Sequence, residues 1–226
     1  NPISDDNNSG TLTLDNATID CSGVTNCEYG IKLPAGAKLV VTGNSTVVAG
    51  LDSNGYSYGI LCGALDISGT GSLAVAAAET EYSVGIYVTD KLTISGVTLD
   101  VRGGSGNMYN YGVLSVRGSG TTYDVTVTSG SVTIRGGTKA VHSNTPTATG
   151  ATIVKNQAYD GTGEATDSYE SAKYVSISFK TPLTISASAA EDLTYNGGAQ
   201  NGYTGDVAVK NGETPVTGGY GELVYT

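Results

Sequence analysis

Four fragments of the chain are copies of one motif: CEYGIKL (27–33), YSYGILC (56–62), YSVGIYV (82–88) and YNYGVLS (109–115). They place Gly30, Gly59, Gly85 and Gly112 at successive intervals of 29, 26 and 27 residues. A degenerate fifth copy, TKAVHS (138–143), places Ala140 at the same point, 28 residues after Gly112. Self-similarity at such a period is the signature of a repeat architecture.

Two further segments follow the glycine in each copy, and both alternate apolar with small polar residues, the period of half-buried strands. We expect the inward residues of the first segment to be Leu39/Val41, Leu65/Ile67, Leu92/Ile94 and Val125/Val127. For the second segment we expect Val48, Val75, Leu99/Val101 and Val132/Ile134 to point inward. Three short strands per repeat bury their apolar face only when successive copies stack, about 4.8 Å apart.

The repeat therefore predicts an all-β fold, a right-handed parallel β-helix of about five coils with three short strands per coil. An antiparallel sandwich is the alternative, but it requires turns about every 8–12 residues and does not explain the long period. A glycine at one fixed point of each coil indicates a bend or a close approach between coils that a Cβ atom would obstruct.

The repeat also predicts the domain organisation. Residues 1–10 are polar and indicate a disordered lead-in, and residues 11–144 hold the coils. Residues 145–181, where the repeat stops, are expected to cap the solenoid, since its open end exposes unpaired strand edges. Residues 182–226 alternate like strands and form a small C-terminal β module.

Composition narrows the class of function. The chain has 14% charged residues, no tryptophan, fifteen tyrosines and a net charge of −10, which is typical of a rigid extracellular all-β protein. An acidic chain without a basic stripe repels nucleic acid. No run approaches the roughly 18 apolar residues of a membrane helix, so membrane insertion is not expected. We predict a secreted or cell-surface-attached protein.

The three cysteines leave alternatives open. Cys21 and Cys27 either close a small disulfide loop, which an oxidising exterior would permit, or remain free. Cys62 lies in an apolar run and is interpreted as a buried free thiol. No cysteine and histidine spacing typical of a metal site occurs, and His142 is interpreted as a structural residue.

The YGI copies, together with KLTISG (91–96), resemble β-helical segments of large surface proteins of Gram-positive bacteria, some of them described as carbohydrate-binding, within a wider pectate-lyase-like superfamily. The tail resembles part of an Ig-like repeat of bacterial adhesins, in which Tyr195, Asn196, Gly197, Ala199 and Gln200 match the start of the repeat. The resemblance implies an extracellular display protein with further domains as partners.

Alignment of the outward positions brings Asp100, Arg102 and Arg135 together on one sheet. This group is interpreted either as exposed ion pairs or as a patch that binds acidic sugars. Pectate-lyase-like catalysis requires a cluster of carboxylates that holds Ca²⁺ beside a basic residue, and one carboxylate does not provide it. We therefore assign no catalytic residue and no obligatory cofactor, although an Asp- and Asn-rich surface suits weak Ca²⁺ binding.

Tyrosines form two further columns. Tyr56, Tyr82 and Tyr109 lie three residues before the coil glycine, and Tyr29, Tyr58 and Tyr111 lie immediately before it. Stacked tyrosines either form a platform for sugar rings, since each offers an apolar face and a hydroxyl, or form a structural ladder between coils.

The sequence thus favours a non-catalytic extracellular surface module that binds polysaccharide or host glycan. A structural or adhesive stalk without a ligand of its own is the alternative. A polysaccharide lyase is the third hypothesis.

Overall fold

The computed structural model describes residues 10–117 and 120–179, and the backbone of residues 3–4, 183–189, 203–211 and 214–215. This described part of the chain contains strands, turns and bends, and no helix. The chain divides into two compact units, Asn1–Phe179 and Lys180–Thr226.

Five coils make up most of the first unit, and each coil contributes one strand to each of three sheets. In chain order the strands are β1 (Ile3–Ser4), β2 (Thr11–Leu14) and β3 (Thr18–Asp20) in coil 1; β4 (Tyr29–Lys32), β5 (Ala37–Val41) and β6 (Asn44–Val48) in coil 2; β7 (Tyr56–Cys62), β8 (Leu65–Gly69) and β9 (Ser72–Ala76) in coil 3; β10 (Tyr82–Val88), β11 (Leu92–Ser95) and β12 (Thr98–Arg102) in coil 4; and β13 (Asn110–Arg117), β14 (Thr121–Thr122), β15 (Val125–Val127) and β16 (Ser131–Arg135) in coil 5. Three strands follow in the first unit: β17 (Lys139–His142), β18 (Ala151–Asn156) and β19 (Tyr174–Phe179).

The coils stack in parallel register. Sheet 1 has the order β1-β4-β7-β10-β13, with β17 and the antiparallel β14 paired to β13. Sheet 2 has the order β15-β11-β8-β5-β2, and sheet 3 places β3, β6, β9, β12 and β16 side by side. Strands that are consecutive within a sheet are consecutive coils of the chain, which confirms the predicted parallel β-helix of about five coils.

The core is an aliphatic column inside the three sheets. All the inward residues predicted for sheet 2 are buried, as are Val75, Leu99, Val101, Val132 and Ile134 of sheet 3. The prediction for β6 is wrong by one residue: Val47 is fully buried and pairs with Val75, whereas Val48 points outward. By sequence, either of these two adjacent valines could face the core. Ser45, two residues before Val47, is also buried, and its Oγ accepts a hydrogen bond from Ala17 N at 3.1 Å.

The coil glycines allow sheet 1 to approach the core closely. A Cβ atom at Gly85 would lie 2.5 Å from Val101 Cγ1 and 2.7 Å from the carbonyl oxygen of Gly112. A Cβ atom at Gly59 would lie 2.4 Å from Val75 Cγ1. These distances are far inside ordinary van der Waals contact, so the repeat of glycine is a packing requirement.

Beyond coil 5, sheet 3 continues with antiparallel strands, because β19 pairs with β16 and β18 pairs with β19. Ala172, Val175 and Ile177 of this segment are fully buried in the same hydrophobic cluster as the coils. Residues 180 and 181, which the sequence assigned to the cap, lie outside the described residues.

At the other end, Ile3 and Ser4 form β1 and pair with Ile31 and Lys32 of β4. The expectation of a disordered lead-in over residues 1–10 is therefore wrong at these two positions; residues 1–2 and 5–9 lie outside the described part of the chain.

In the second unit, β20 (Leu183–Ala189), β21 (Tyr203–Asn211) and β22 (Thr214–Pro215) form an antiparallel sheet. The motif from Tyr195 to Gln200 lies outside the described residues, and the Ig-like assignment stays a prediction.

Candidate functional site

The outer surface of sheet 1 carries a cluster of aromatic side chains over coils 3 to 5. In β7 the backbone alternation turns Tyr56 and Tyr58 outward, while Ser57 between them is fully buried. The neighbouring strands repeat this alternation in register. We name the resulting surface the tyrosine face; its members are Tyr56, Tyr58, Tyr82, Tyr87, Tyr109 and Tyr111.

The first column of this face is a ring stack that runs across three coils. The ring centroids of Tyr56 and Tyr82 lie 4.9 Å apart, and those of Tyr82 and Tyr109 lie 5.0 Å apart with an interplanar angle of 12°. These separations are close to the spacing of neighbouring strands, as expected for identical residues in parallel register. The three rings therefore form one continuous ladder.

Tyr109 reaches this ladder from a strained backbone conformation. Its φ is +35°, in the left-handed region that bulky residues rarely adopt. Its side chain is the most exposed of the face, with 54% of its surface accessible. Strain of this kind persists where the surrounding structure holds the residue in place, and it is concentrated at functional sites.

The second column contains a gap. Tyr58 and Tyr111 occupy equivalent positions in coils 3 and 5, and both pair in register with Val84 of coil 4. The short Val84 side chain leaves a cleft of about 150 Å³ lined by Val84, Leu114 and the six tyrosines of the face. We name this cleft the Val84 notch.

Tyr87 and His142 complete the surroundings of the cleft. The Tyr87 and Tyr58 rings have centroids 5.6 Å apart, so Tyr87 leans toward coil 3. His142 lies 5.3 Å from the Tyr111 ring. Tyr87 lies two residues after Gly85, and His142 lies two residues after Ala140, which replaces the coil glycine in the last copy. At this outward position coils 3 and 5 have Leu61 and Leu114.

Tyr58, Tyr111 and His142 are shifted toward their uncharged forms. Burial, reinforced by the nearby Glu28 carboxylate, raises the pKa of Tyr58 to about 12. Burial also raises the pKa of Tyr111 and lowers the pKa of His142. The face therefore offers ring surfaces and neutral hydroxyl groups, which suits a ligand with apolar faces and hydroxyls of its own.

Asp100, Arg102 and Arg135 are together, as the sequence predicts, on the outer surface of sheet 3. We name them the ion-pair cluster. Arg102 Nη2 donates to Asp100 Oδ2 at 2.6 Å, and Arg135 Nη1 donates to Asp100 Oδ1. The Arg135 guanidinium also lies 5.3 Å from the ring centroid of Tyr174.

The geometry of this cluster corresponds to the ion-pair interpretation. Each Asp100 oxygen accepts a hydrogen bond from a different arginine. The Asp100 hydrogen bond raises the pKa of Arg102 further. The cluster and the tyrosine face belong to different sheets, so the candidate residues form two separate groups.

The sequence identified five of the tyrosines and missed Tyr87, Val84 and Leu114. Val84 and Tyr87 stand at the two positions where coil 4 departs from the repeat. The signal was present in YSVGIYV, where valine and tyrosine stand in place of the tyrosine and leucine of YSYGILC and YNYGVLS.

The three cysteines lie in the described part of the chain. Cys21, Cys27 and Cys62 are all free and buried, so the proposed Cys21–Cys27 disulfide is absent from this structure. Burial, together with a hydrogen bond to Cys21, raises the pKa of Cys27 to about 11. Burial raises the pKa of Cys62 to about 11 as well. The raised pKa values favour the protonated form of both thiols near neutral pH.

Within the described residues, no group of three or more His, Cys, Asp or Glu side chains is arranged to hold a metal ion. None of the described residues belongs to a helix with the length and apolar character needed to span a bilayer.

Comparisons of the chain with models of known protein families, with curated proteins and with solved structures found no match.

Proposed function

We propose that this chain is a non-catalytic extracellular module that binds polysaccharide or host glycan through its tyrosine face. The observation that carries the proposal is the cleft among six tyrosines on a rigid parallel sheet. Tyrosine combines an apolar ring with a hydroxyl, and sugars present apolar C–H faces edged by hydroxyls.

The scaffold supports this role because the rings are fixed before a ligand arrives. Ring contacts at 4.9, 5.0 and 5.6 Å hold the tyrosines against one another. Binding to such a surface costs little side-chain ordering, which is the main reason that rigid aromatic surfaces bind well.

The ion-pair cluster supports a non-catalytic role. An acid or base catalyst requires a carboxylate that exchanges a proton with the substrate. Asp100 instead accepts hydrogen bonds from two guanidinium groups.

A structural stalk is the second candidate, and the ring stack itself favours it. Rings that contact each other between coils stabilise the solenoid whether or not a ligand binds. The two candidates differ in one respect: a stalk needs no cleft, whereas a binding face does.

A glycan array probed with the folded chain tests the proposal. We expect selective binding that Tyr82→Ala weakens and that the matched surface variant Arg102→Ala leaves unchanged. A blank array with folded protein would favour the stalk. Binding lost in Arg102→Ala and retained in Tyr82→Ala would move the site to the ion-pair cluster.

A further inference from the structure

The corner between sheet 3 and sheet 1 repeats one backbone hydrogen bond from coil to coil, and coil 1 places a cysteine there. Cys21 N donates to Val48 O at 2.9 Å. In coils 2 to 5 the equivalent donors are buried small residues: Ala49, Ala77, Gly103 and Gly136. Coil 1 therefore has a thiol at a position where the other coils have at most a methyl group.

A second cysteine is anchored at the same corner. Cys27 N donates to Leu51 O at 3.1 Å, and Cys27 O accepts a hydrogen bond from Gly50 N at 2.9 Å. A Cβ atom at Gly50 would lie 2.4 Å from the carbonyl oxygen of Cys21 and 3.1 Å from that of Cys27. The backbones of both cysteines are therefore fixed against the same stretch of coil 2, residues 48–51.

The two thiols contact each other beneath an exposed loop. Cys21 and Cys27 have 1% and 2% of their surface accessible, and a hydrogen bond joins their side chains. All residues of the loop 22–26 between them are exposed. Asn26 ends this loop at a φ of +57°, a conformation that asparagine adopts more readily than most residues. Because the side chains already meet, a bond between the sulfurs requires no rearrangement of the coils.

Cys62 lies at a different corner of the solenoid. It ends β7 and therefore marks the turn from sheet 1 to sheet 2. Its Sγ donates to the carbonyl oxygens of Pro34 at 3.1 Å and Ala64 at 3.2 Å. A bond between Cys21 and Cys27 would therefore leave Cys62 as a free thiol.

Coil 1 is the part of the solenoid that a covalent tie would stabilise most. Its strands β1, β2 and β3 contain two, four and three residues. Leu12 and Ile19 of this coil are only partly buried. In a solenoid each coil is held by its neighbours alone, so a coil with short strands and partial burial opens more readily than the others.

We propose that Cys21 and Cys27 form a disulfide under oxidising conditions and that this bond ties coil 1 to coil 2. With glutathione disulfide as the oxidant, one cysteine thiolate attacks the oxidant and releases one glutathione, and the second cysteine then displaces the other. The protein gains one S–S bond, the oxidant loses its own, and the two cysteine protons end on two glutathione thiols. This disulfide would form whether or not the tyrosine face binds a ligand.

Burial determines when the bond forms. The thiolate is the reacting form of cysteine, and burial with the hydrogen bond to Cys21 raises the pKa of Cys27 to about 11. Oxidation of the folded chain therefore requires the loop 22–26 to open. Folding in an oxidising compartment, where the disulfides of secreted proteins form, avoids this requirement.

Refolding of the whole chain with glutathione disulfide in excess, followed by alkylation in denaturant and digestion with trypsin, tests for the bond. Residues 1–32 form one tryptic peptide with Cys21 and Cys27, and residues 39–91 form another with Cys62. We expect the first peptide to be free of alkylation and lighter by two hydrogen atoms than its reduced form, and Cys62 to be alkylated. Alkylation of both cysteines in the first peptide, or a link between the two peptides, would overturn the proposal.

The thermal midpoint tests whether the bond stabilises the solenoid. Closing a loop of this length should raise the midpoint of the oxidised chain by about 5–10 °C over that of the reduced chain. Cys21→Ala is the matched control, because it gives coil 1 the residue that coils 2 and 3 have at this position. We expect its midpoint to be the same in oxidising and reducing buffer. A bond that leaves the wild-type midpoint unchanged, or an equal rise in Cys21→Ala, would overturn the tie between the coils.

Discussion

The tyrosine face of sheet 1 and the ion-pair cluster of sheet 3 are built by the same rule. In each, parallel register places outward side chains of successive coils in columns, as with Tyr56 and Tyr82 or with Arg102 and Arg135. The two surfaces differ in what their side chains contact. In the ion-pair cluster Asp100 accepts hydrogen bonds from two arginines, whereas a cleft lies among the rings of the tyrosine face.

This difference shows that a cleft lies where the repeat is broken. The ion-pair cluster combines one carboxylate with two guanidinium groups, and exposed pairs contribute little to stability. Identical rings stack and close the surface. Val84 interrupts one such column, and the cleft lies at that interruption.

A substitution in the core packing that supports both surfaces should have the largest effect on stability. In Gly85→Ala the new Cβ atom meets Val101 and the carbonyl oxygen of Gly112, and we expect a loss of about 3 kcal/mol in the free energy of unfolding. Urea denaturation measures it. Gly23→Ala is the control, because a Cβ atom there meets nothing within 4 Å. Equal effects of the two substitutions would refute the packing role of the coil glycine.

Loss of a ring from the tyrosine face should have the next largest effect. Tyr82 contacts the rings of Tyr56 and Tyr109, and two such contacts contribute about 1–3 kcal/mol beyond the area that they bury. Tyr82→Ala should lower the free energy of unfolding by at least that amount. Tyr82→Phe keeps the ring and should remain close to wild type. A large loss in Tyr82→Phe would show that the hydroxyl, not the stack, is responsible.

Loss of one charge from the ion-pair cluster should lower the free energy of unfolding by a smaller amount. The Arg102 side chain is 55% exposed, so Arg102→Ala should cost about 0.2–1 kcal/mol. The cost should shrink as salt is raised, because exposed charges are screened. Denaturation at low and high ionic strength measures both. A cost greater than that of Tyr82→Ala would reverse the ranking of the two surfaces.

The smallest effect is the pH dependence of stability that arises from His142, at the edge of the tyrosine face. Burial, with Lys139 nearby, lowers the pKa of His142 below its ordinary value of about 6.5. The unfolded chain then binds a proton at His142 more readily than the folded chain does. The contribution of His142 to the free energy of unfolding is therefore complete above pH 6.5, and it declines as the pH falls from there toward the folded pKa. His142→Gln should remove this contribution to the pH dependence of the free energy of unfolding between pH 7 and 5. An identical slope in the variant would contradict the shift.

The fold was predictable because its determinants repeat. Few architectures bury the apolar face of a repeat with this spacing and with period-2 alternation between its glycines, which are Gly30, Gly59, Gly85 and Gly112. Alignment by repeat also placed Arg102 beside Arg135 and Tyr56 beside Tyr82, since parallel register converts equivalent positions into neighbours.

The notch was not predictable by that reasoning, because Val84 and Tyr87 are departures from the repeat. Similarly, Val47 and Val48 are adjacent valines, and the register of β6 beside β9 places Val47 toward the core. The distinction between a disulfide and free thiols at Cys21 and Cys27 depends on side-chain geometry that spacing does not specify.

The most direct test of the central claim is an NMR titration of protein with ¹³C-labelled tyrosine rings against a neutral oligosaccharide. The two surfaces carry their own reporters, since Tyr174 lies beside Arg135 and Tyr159 donates to Gly103 next to Arg102. Our account predicts that the ring resonances of Tyr58, Tyr82, Tyr87 and Tyr111 shift on titration, while those of Tyr159 and Tyr174 do not. Shifts confined to Tyr159 and Tyr174, or no shifts at saturating sugar, would contradict it.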